Sequence, residues 1–145
     1  MYSIGSPSDI SHIFIFKELI GVYILYNEIE CRYVGESTNV IKRVISHYGL
    51  SNGSHLSGGL SGGGYRKSAA LSQDQVKIVK FIEVRNNLLR MVTEAFWIWK
   101  LNPTLAARPS PYPSFIGWDD KEVFEFIKKD FKTRGTWKYH HERRI

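Results

Sequence analysis

The chain predicts an α+β fold, three short strands flanked by helices, on three observations. Two β-rich runs, Gly21 to Tyr26 and Cys31 to Gly35, are separated by the turn-forming pair Asn27-Glu28. Two later stretches, one behind capping residues that end at Asn39 and one from about Asn87, carry apolar residues at helical spacing. Between them lies a further apolar, β-branched run from Gln75 to Val84. A length of 145 residues suits a single domain with one proper core.

The elements follow in order. Residues 1–18 read as an N-terminal arm, polar at first and then briefly apolar from Ile13 to Phe16. The two runs around Asn27-Glu28 make a hairpin. Glu36-Ser37-Thr38-Asn39 supplies N-cap chemistry for a helix to about Tyr48, whose apolar stripe is Val40, Ile41, Val44, Ile45 and Tyr48. Arg43 and His47, four apart, line one edge of that stripe. Residues 49–64 form a glycine- and serine-rich loop carrying His55. It is not a phosphate-cradling P-loop, because Tyr65 and Arg66 separate its last glycine from Lys67-Ser68.

A short helix from Tyr65 to Leu71 leads into the third strand, Gln75 to Val84. A long helix runs from about Asn87 to Leu101 and is stopped by Asn102-Pro103. Four of the five prolines fall between Pro103 and Pro113, which makes that stretch an extended wrap. Asp119 with Glu122 is a capping-box start for a last helix, with Val123, Phe124, Phe126 and Ile127 placed to dock on the domain. The division is an arm over 1–18, a core over 19–103, and a wrap, helix and basic tail over 104–145 that belong to the same domain.

Hydrophobic residues at 43% with 23% charged residues exclude an intrinsically disordered chain. No apolar run is long enough to span a bilayer, and no signal-peptide pattern opens the chain. With a single cysteine, Cys31, no internal disulfide can form, which fits a reducing, cytoplasmic setting without a membrane. The net charge of +6 favours a polyanionic partner. The charge is concentrated in the tail, where Lys128 to Ile145 holds seven Lys/Arg against two acids. Trp137, Tyr139, His140 and His141 are interleaved there, and aromatic faces can stack on bases while the cations neutralise phosphates. A solvated terminus is the plainer reading of the same residues.

The polar residue that asks for an explanation is Glu94, set on the long helix among Met91, Ile98 and Leu101. A carboxylate beside apolar neighbours is costly without a partner. Arg90, one turn earlier, is one candidate partner, although a cation N-terminal to the acid is the weaker orientation on a helix. A metal ion is the other, since Mg²⁺ needs only one or two carboxylates and keeps several waters.

Gly21-Val22-Tyr23, then Tyr33-Val34-Gly35 with its tyrosine ten residues after the first, then a helix bearing Arg43 and His47, then Glu94 in "EAFWIWKLNP" form an ordered set. That set resembles the GIY-YIG endonuclease family over roughly residues 20–103. The resemblance implies a small three-stranded antiparallel sheet flanked by helices, with both triplets on neighbouring strands and both tyrosines pointing into one site. It implies that Tyr23 and Tyr33 position or deprotonate the attacking water and that Arg43 neutralises charge on the scissile phosphate. His47 would hold a tyrosine hydroxyl or the phosphate, and Glu94 would bind one Mg²⁺ or Mn²⁺. Such a set suits phosphodiester hydrolysis, which needs a placed nucleophile, a proton acceptor and positive charge at phosphorus. Taken singly, each tyrosine reads as strand packing.

The partner implied is double-stranded or branched DNA, with Lys42, Arg66, Lys67, Lys128, Lys132, Arg134, Lys138, Arg143 and Arg144 as its contacts. One site cuts one strand, so a double-strand break would need a homo-oligomer or sequential nicking. There are two departures. Members often carry an asparagine in a Pro-x-x-Asn context, whereas Thr104-Leu105-Ala106 follows Pro103 here, leaving that role vacant or to Asn102. Glu36 stands where many members have lysine, an acid near the DNA path. His55 is a further candidate for proton transfer or a phosphate contact. The alternative is a catalytically weak DNA- or RNA-binding module that retains the nuclease fold.

Overall fold

A computed structural model describes residues 1–6, 18–47, 77–104 and 110–134. The glycine-rich loop with His55, the expected helix at 65–71 and the basic tail from residue 135 lie outside the described residues. The fold is α+β. Strands β1 (Tyr2–Gly5), β2 (Gly21–Tyr26), β3 (Cys31–Ser37) and β4 (Ile78–Glu83) form one antiparallel sheet in the order β1-β4-β2-β3. Helices α1 (Val40–His47), α2 (Asn87–Leu101) and α3 (Asp120–Arg134) complete the described elements. Among these residues no helix is long and apolar enough to cross a membrane.

The expectation of three strands is corrected to four, because the start of the N-terminal arm joins the sheet. Tyr2 pairs with Phe81 and Ser3 with Lys80, and the register then shifts before Gly5 pairs with Val79. Gly5 takes a φ of 100° at that irregularity, a backbone that glycine adopts without steric cost. Ile4, 4% exposed, is the one residue of β1 that enters the core, which is why so short a strand left no alternating pattern to read.

β2 lies between β3 and β4 and is buried on both faces, from Val22 to Leu25. Its hairpin to β3 is closed by Asn27, whose Oδ1 accepts from the backbone N–H groups of Ile29 and Glu30, both at 2.7 Å. Such a side-chain-closed turn is what asparagine does well. At the other end β2 runs close to β4. A Cβ on Gly21 would stand 1.9 Å from the Ile82 carbonyl oxygen, so only glycine allows this approach.

The helices start where their capping residues are. Asn39 Oδ1 accepts from Lys42 N–H at 3.1 Å for α1, and Asn86 Oδ1 accepts from Leu89 N–H at 2.9 Å for α2. α3 has the full capping box: Asp119 Oδ1 accepts from Glu122 N–H at 2.8 Å, and Glu122 Oε1 accepts from Asp119 N–H at 3.3 Å. α2 ends at Asn102, left-handed at φ 46°, whose N–H donates to the Ile98 carbonyl just before Pro103.

Three apolar clusters order the layers. Val40, Ile41 and Val44 of α1 pack on the sheet face carrying Tyr23, Leu25 and Phe81. Ile98 of α2 packs on the opposite face with Val22, Ile24 and Val34. Val92, Ala95 and Phe96 of α2 then meet Val123, Ile127 and Phe131 of α3, so α2 is covered on both sides. Phe131 replaces Phe126 among the buried contacts; Phe126 instead faces outward against Phe115 and Trp118. The wrap is fastened by Trp99 Nε1–H donating to the Pro113 carbonyl and by Tyr112 O–H donating to Asp130, both at 2.7 Å.

Candidate active site

The two triplets meet because of register. Tyr23 of β2 is paired directly with Gly35 of β3, and Tyr33 with Leu25, so both tyrosines stand on the α1 face. A Cβ on Gly35 would lie 2.5 Å from both Cζ and Oη of Tyr23. The Tyr23 ring therefore crosses its partner strand over the bare glycine backbone, which places the hydroxyl at the β3 edge of the ring's path. The rings of Tyr23 and Tyr33 are 6.2 Å apart, tilted by 35°. Tyr23 is fully buried and Tyr33 half-buried.

Arg43, half-buried on α1, stands close enough to Tyr23 for its charge and its side-chain N–H groups to act on the phenol. Its Nε is buried and has no hydrogen-bond partner among the described residues. A buried N–H left unmade costs roughly 1–3 kcal/mol, and a phosphate oxygen is the acceptor a guanidinium fork fits best. Glu94, 6% exposed on α2, is close enough for its charge to act on Tyr23. Arg90, one of the two candidate partners for Glu94, has hydrogen bonds elsewhere, to Glu36, Arg85 and Asn87. Its Nε donates to Glu36 Oε2 at 2.7 Å.

Tyr23, Tyr33 and Arg43 thus share the α1 face of the sheet, with Glu94 on α2 within electrostatic reach of Tyr23. His47 is the last residue of α1, one turn beyond Arg43, and its side chain lies outside the described residues. Lys42 is exposed on α1. Lys128, Lys132 and Arg134 stand on α3, the layer beyond α2 and away from the α1 face, and Arg134 pairs with Asp130 at 3.3 Å. Arg66, Lys67, Lys138, Arg143 and Arg144 lie outside the described residues. Asn102 is engaged as the α2 C-cap.

Burial pushes the Tyr23 phenol well above the ordinary tyrosine range; the neighbouring Tyr33 adds to this, the charge and hydrogen bond of Arg43 pull it back, and Glu94 raises it again. Cys31, 6% exposed, has its thiol pushed up to about 12, mainly by burial, and stays a neutral packing residue. The Tyr23 shift has a measurable consequence. The folded value is the raised one, so its contribution to stability is fully present below the unfolded tyrosine value of about 10 and is lost as pH rises beyond it. Stability of the wild type should therefore fall more steeply above about pH 10 than that of Tyr23→Phe. Denaturant titrations at stepped alkaline pH measure this, and parallel curves would contradict it.

Among the described residues no three His, Cys, Asp or Glu side chains come together. Among the described residues, Glu94 is a carboxylate whose charge reaches Tyr23, while Glu36 is tied to Arg90. That donor chemistry fits a hydrated hard dication held by one carboxylate, as Mg²⁺ or Mn²⁺ is, and does not form a closed zinc-type set of four. Comparison with protein families, curated proteins and solved structures found no match.

Proposed function

We propose that this chain is a divalent-metal-dependent DNA endonuclease of the GIY-YIG type. One observation carries the reading: the Tyr23 ring lies over Gly35 with both Arg43 and Glu94 within electrostatic reach of its hydroxyl. The register that joins the two triplets supplies a physical reason for their sequence, glycine being the only residue that leaves room for the ring. A bound Mg²⁺ or Mn²⁺, held through Glu94, would supply positive charge for the oxygens of the reacting phosphate.

The protein's own groups would divide the remaining work. The Nε–H of Arg43, without a partner among the described residues, would donate to a non-bridging phosphate oxygen and so hold the scissile group against the tyrosine pair. Tyr23, kept protonated by its burial, is suited to orient water or phosphate by hydrogen bonding and not to accept a proton unaided. Of the two roles expected for it, positioning is the one its surroundings favour. The half-buried Tyr33 presents the second hydroxyl on the same face, more open to solvent. Lys42, beside Arg43 on the exposed side of α1, is placed to meet the duplex backbone.

The test is incubation of the purified protein with supercoiled plasmid in Mg²⁺ or Mn²⁺, against EDTA. Nicked or linear product is expected only with metal. Plasmid that is bound but left intact across divalent ions, together with uncut branched and single-stranded DNA, would sink the nuclease reading in favour of a binding module.

A further inference from the structure

We infer that Glu36 and Arg90 form a clamp that positions Glu94 against Tyr23; this rests on the function proposed above. The Arg90 guanidinium is 4% exposed, and each of its nitrogens is engaged. Nε donates to Glu36 Oε2 at 2.7 Å, Nη1 to the Arg85 carbonyl at 3.1 Å and Nη2 to Asn87 Oδ1 at 2.7 Å. Its carboxylate partner, with a side chain 16% exposed, comes from 54 residues earlier in the chain.

The location of this pair gives it a role. Glu36 directly follows Gly35, the residue over which the Tyr23 ring lies, and is paired with Val22 on the face that α2 covers. Arg90 sits one helical turn before Glu94 on α2. The ion pair therefore joins the strand that carries the floor of Tyr23 to the helix that carries Glu94, close to both. Its other two hydrogen bonds fasten the chain from Arg85 to Asn87, through which α2 begins. Sliding of α2 along the sheet would break the directional Arg90–Glu36 bond, whose donor is held in place by the other two, whereas apolar contacts such as Ile98 against Val34 tolerate such slips.

A buried ion pair is weak grounds for a stability role, since apolar residues of similar volume often serve as well. That same fact separates positioning from mere support. Glu36 also ceases to be an acid that repels DNA, because its charge is neutralised inside the fold. The clamp is a pair of positioning residues, one shell outside the group that would hold the metal; losing such partners typically lowers metal affinity or activity about 10–100-fold.

The experiment uses the full chain as wild type, Glu36→Gln, Arg90→Lys and the apolar double variant Glu36→Leu/Arg90→Met. Melting temperature, Mn²⁺ binding by calorimetry, and plasmid-nicking kcat and KM are read for each. The double variant is expected to melt near the wild type, yet to bind Mn²⁺ about tenfold more weakly and to lose about 10–100-fold in kcat, with KM for DNA held within about twofold. Arg90→Lys, which keeps the charge without the fork, should show the same split. Folded variants with wild-type Mn²⁺ affinity and kcat would overturn the clamp while leaving the nuclease intact. If the double variant fails to fold, Glu36→Gln and Arg90→Lys decide on the same readouts. A wild type that neither binds Mn²⁺ nor nicks DNA would overturn the proposed function, and the clamp with it.

Discussion

Glu94→Gln should give a folded protein that still binds duplex DNA and nicks it on the order of 10²–10³-fold more slowly, the usual cost of removing one group that stabilises charge in a transition state. The substitution keeps shape and hydrogen-bonding capacity and removes the charge, so it isolates electrostatics from packing. At 6% exposure, the carboxylate is held almost wholly out of water, where an ionised group costs more to bury than an amide. The melting temperature should accordingly stay level or rise, since an uncharged amide is cheaper to bury. A gain in stability with a loss of activity is the pattern expected of a residue kept for function. Nicking rates at saturating Mg²⁺, anisotropy of a labelled duplex and thermal melts read the three quantities. Unchanged metal-dependent nicking in the variant would show that another carboxylate does this work.

Where structure follows from local chemistry, the sequence was readable. Asn39 and the Asp119/Glu122 box start their helices as their side chains suggest, and Asn102-Pro103 stops α2 by a left-handed cap followed by a residue that cannot continue a helix. The hairpin was legible for the same reason, with Asn27 closing its own turn. What depends on tertiary register was not. β1 contributes a single inward residue, Ile4, too little for any periodicity. Arg90 had an acid one turn away on its own helix, yet its Nε bonds one from another strand, a choice fixed by how α2 lies on β3. Phe126 looked suited to docking, yet the rotation of α3 turns it outward and buries Phe131 instead. Of the site, the residue types and their order could be read along the chain; the reason for Gly35 could not, because it lies in what crosses it.

Gly35→Ala is expected to cost about 1–3 kcal/mol of stability, the range for overpacking a filled core, and to abolish nicking. The new methyl carbon would lie 2.5 Å from Tyr23 Cζ and Oη and 3.0 Å from Cε1, inside contact distance along a whole edge of the ring. The ring has nowhere to go: Tyr23 is fully buried, with Val40, Ile41 and Val44 in the same cluster. Backbone conformation is not the cause, since the described glycines with positive φ are Gly5 and Gly117. Gly21→Ala differs in kind, because its methyl would meet the Ile82 carbonyl and force the β2–β4 ladder itself apart. A double-mutant cycle separates the two. Removing the ring in Tyr23→Leu should make Gly35→Ala much less costly, giving a coupling of about 1–2 kcal/mol between residues in contact. The same ring removal should leave the cost of Gly21→Ala unrelieved, because a backbone oxygen, not the tyrosine, stands nearest to that methyl. Chemical denaturation of the four proteins in each cycle measures both couplings. Additive costs for Tyr23 and Gly35 would mean that the second triplet needs its glycine for some reason other than the tyrosine of the first.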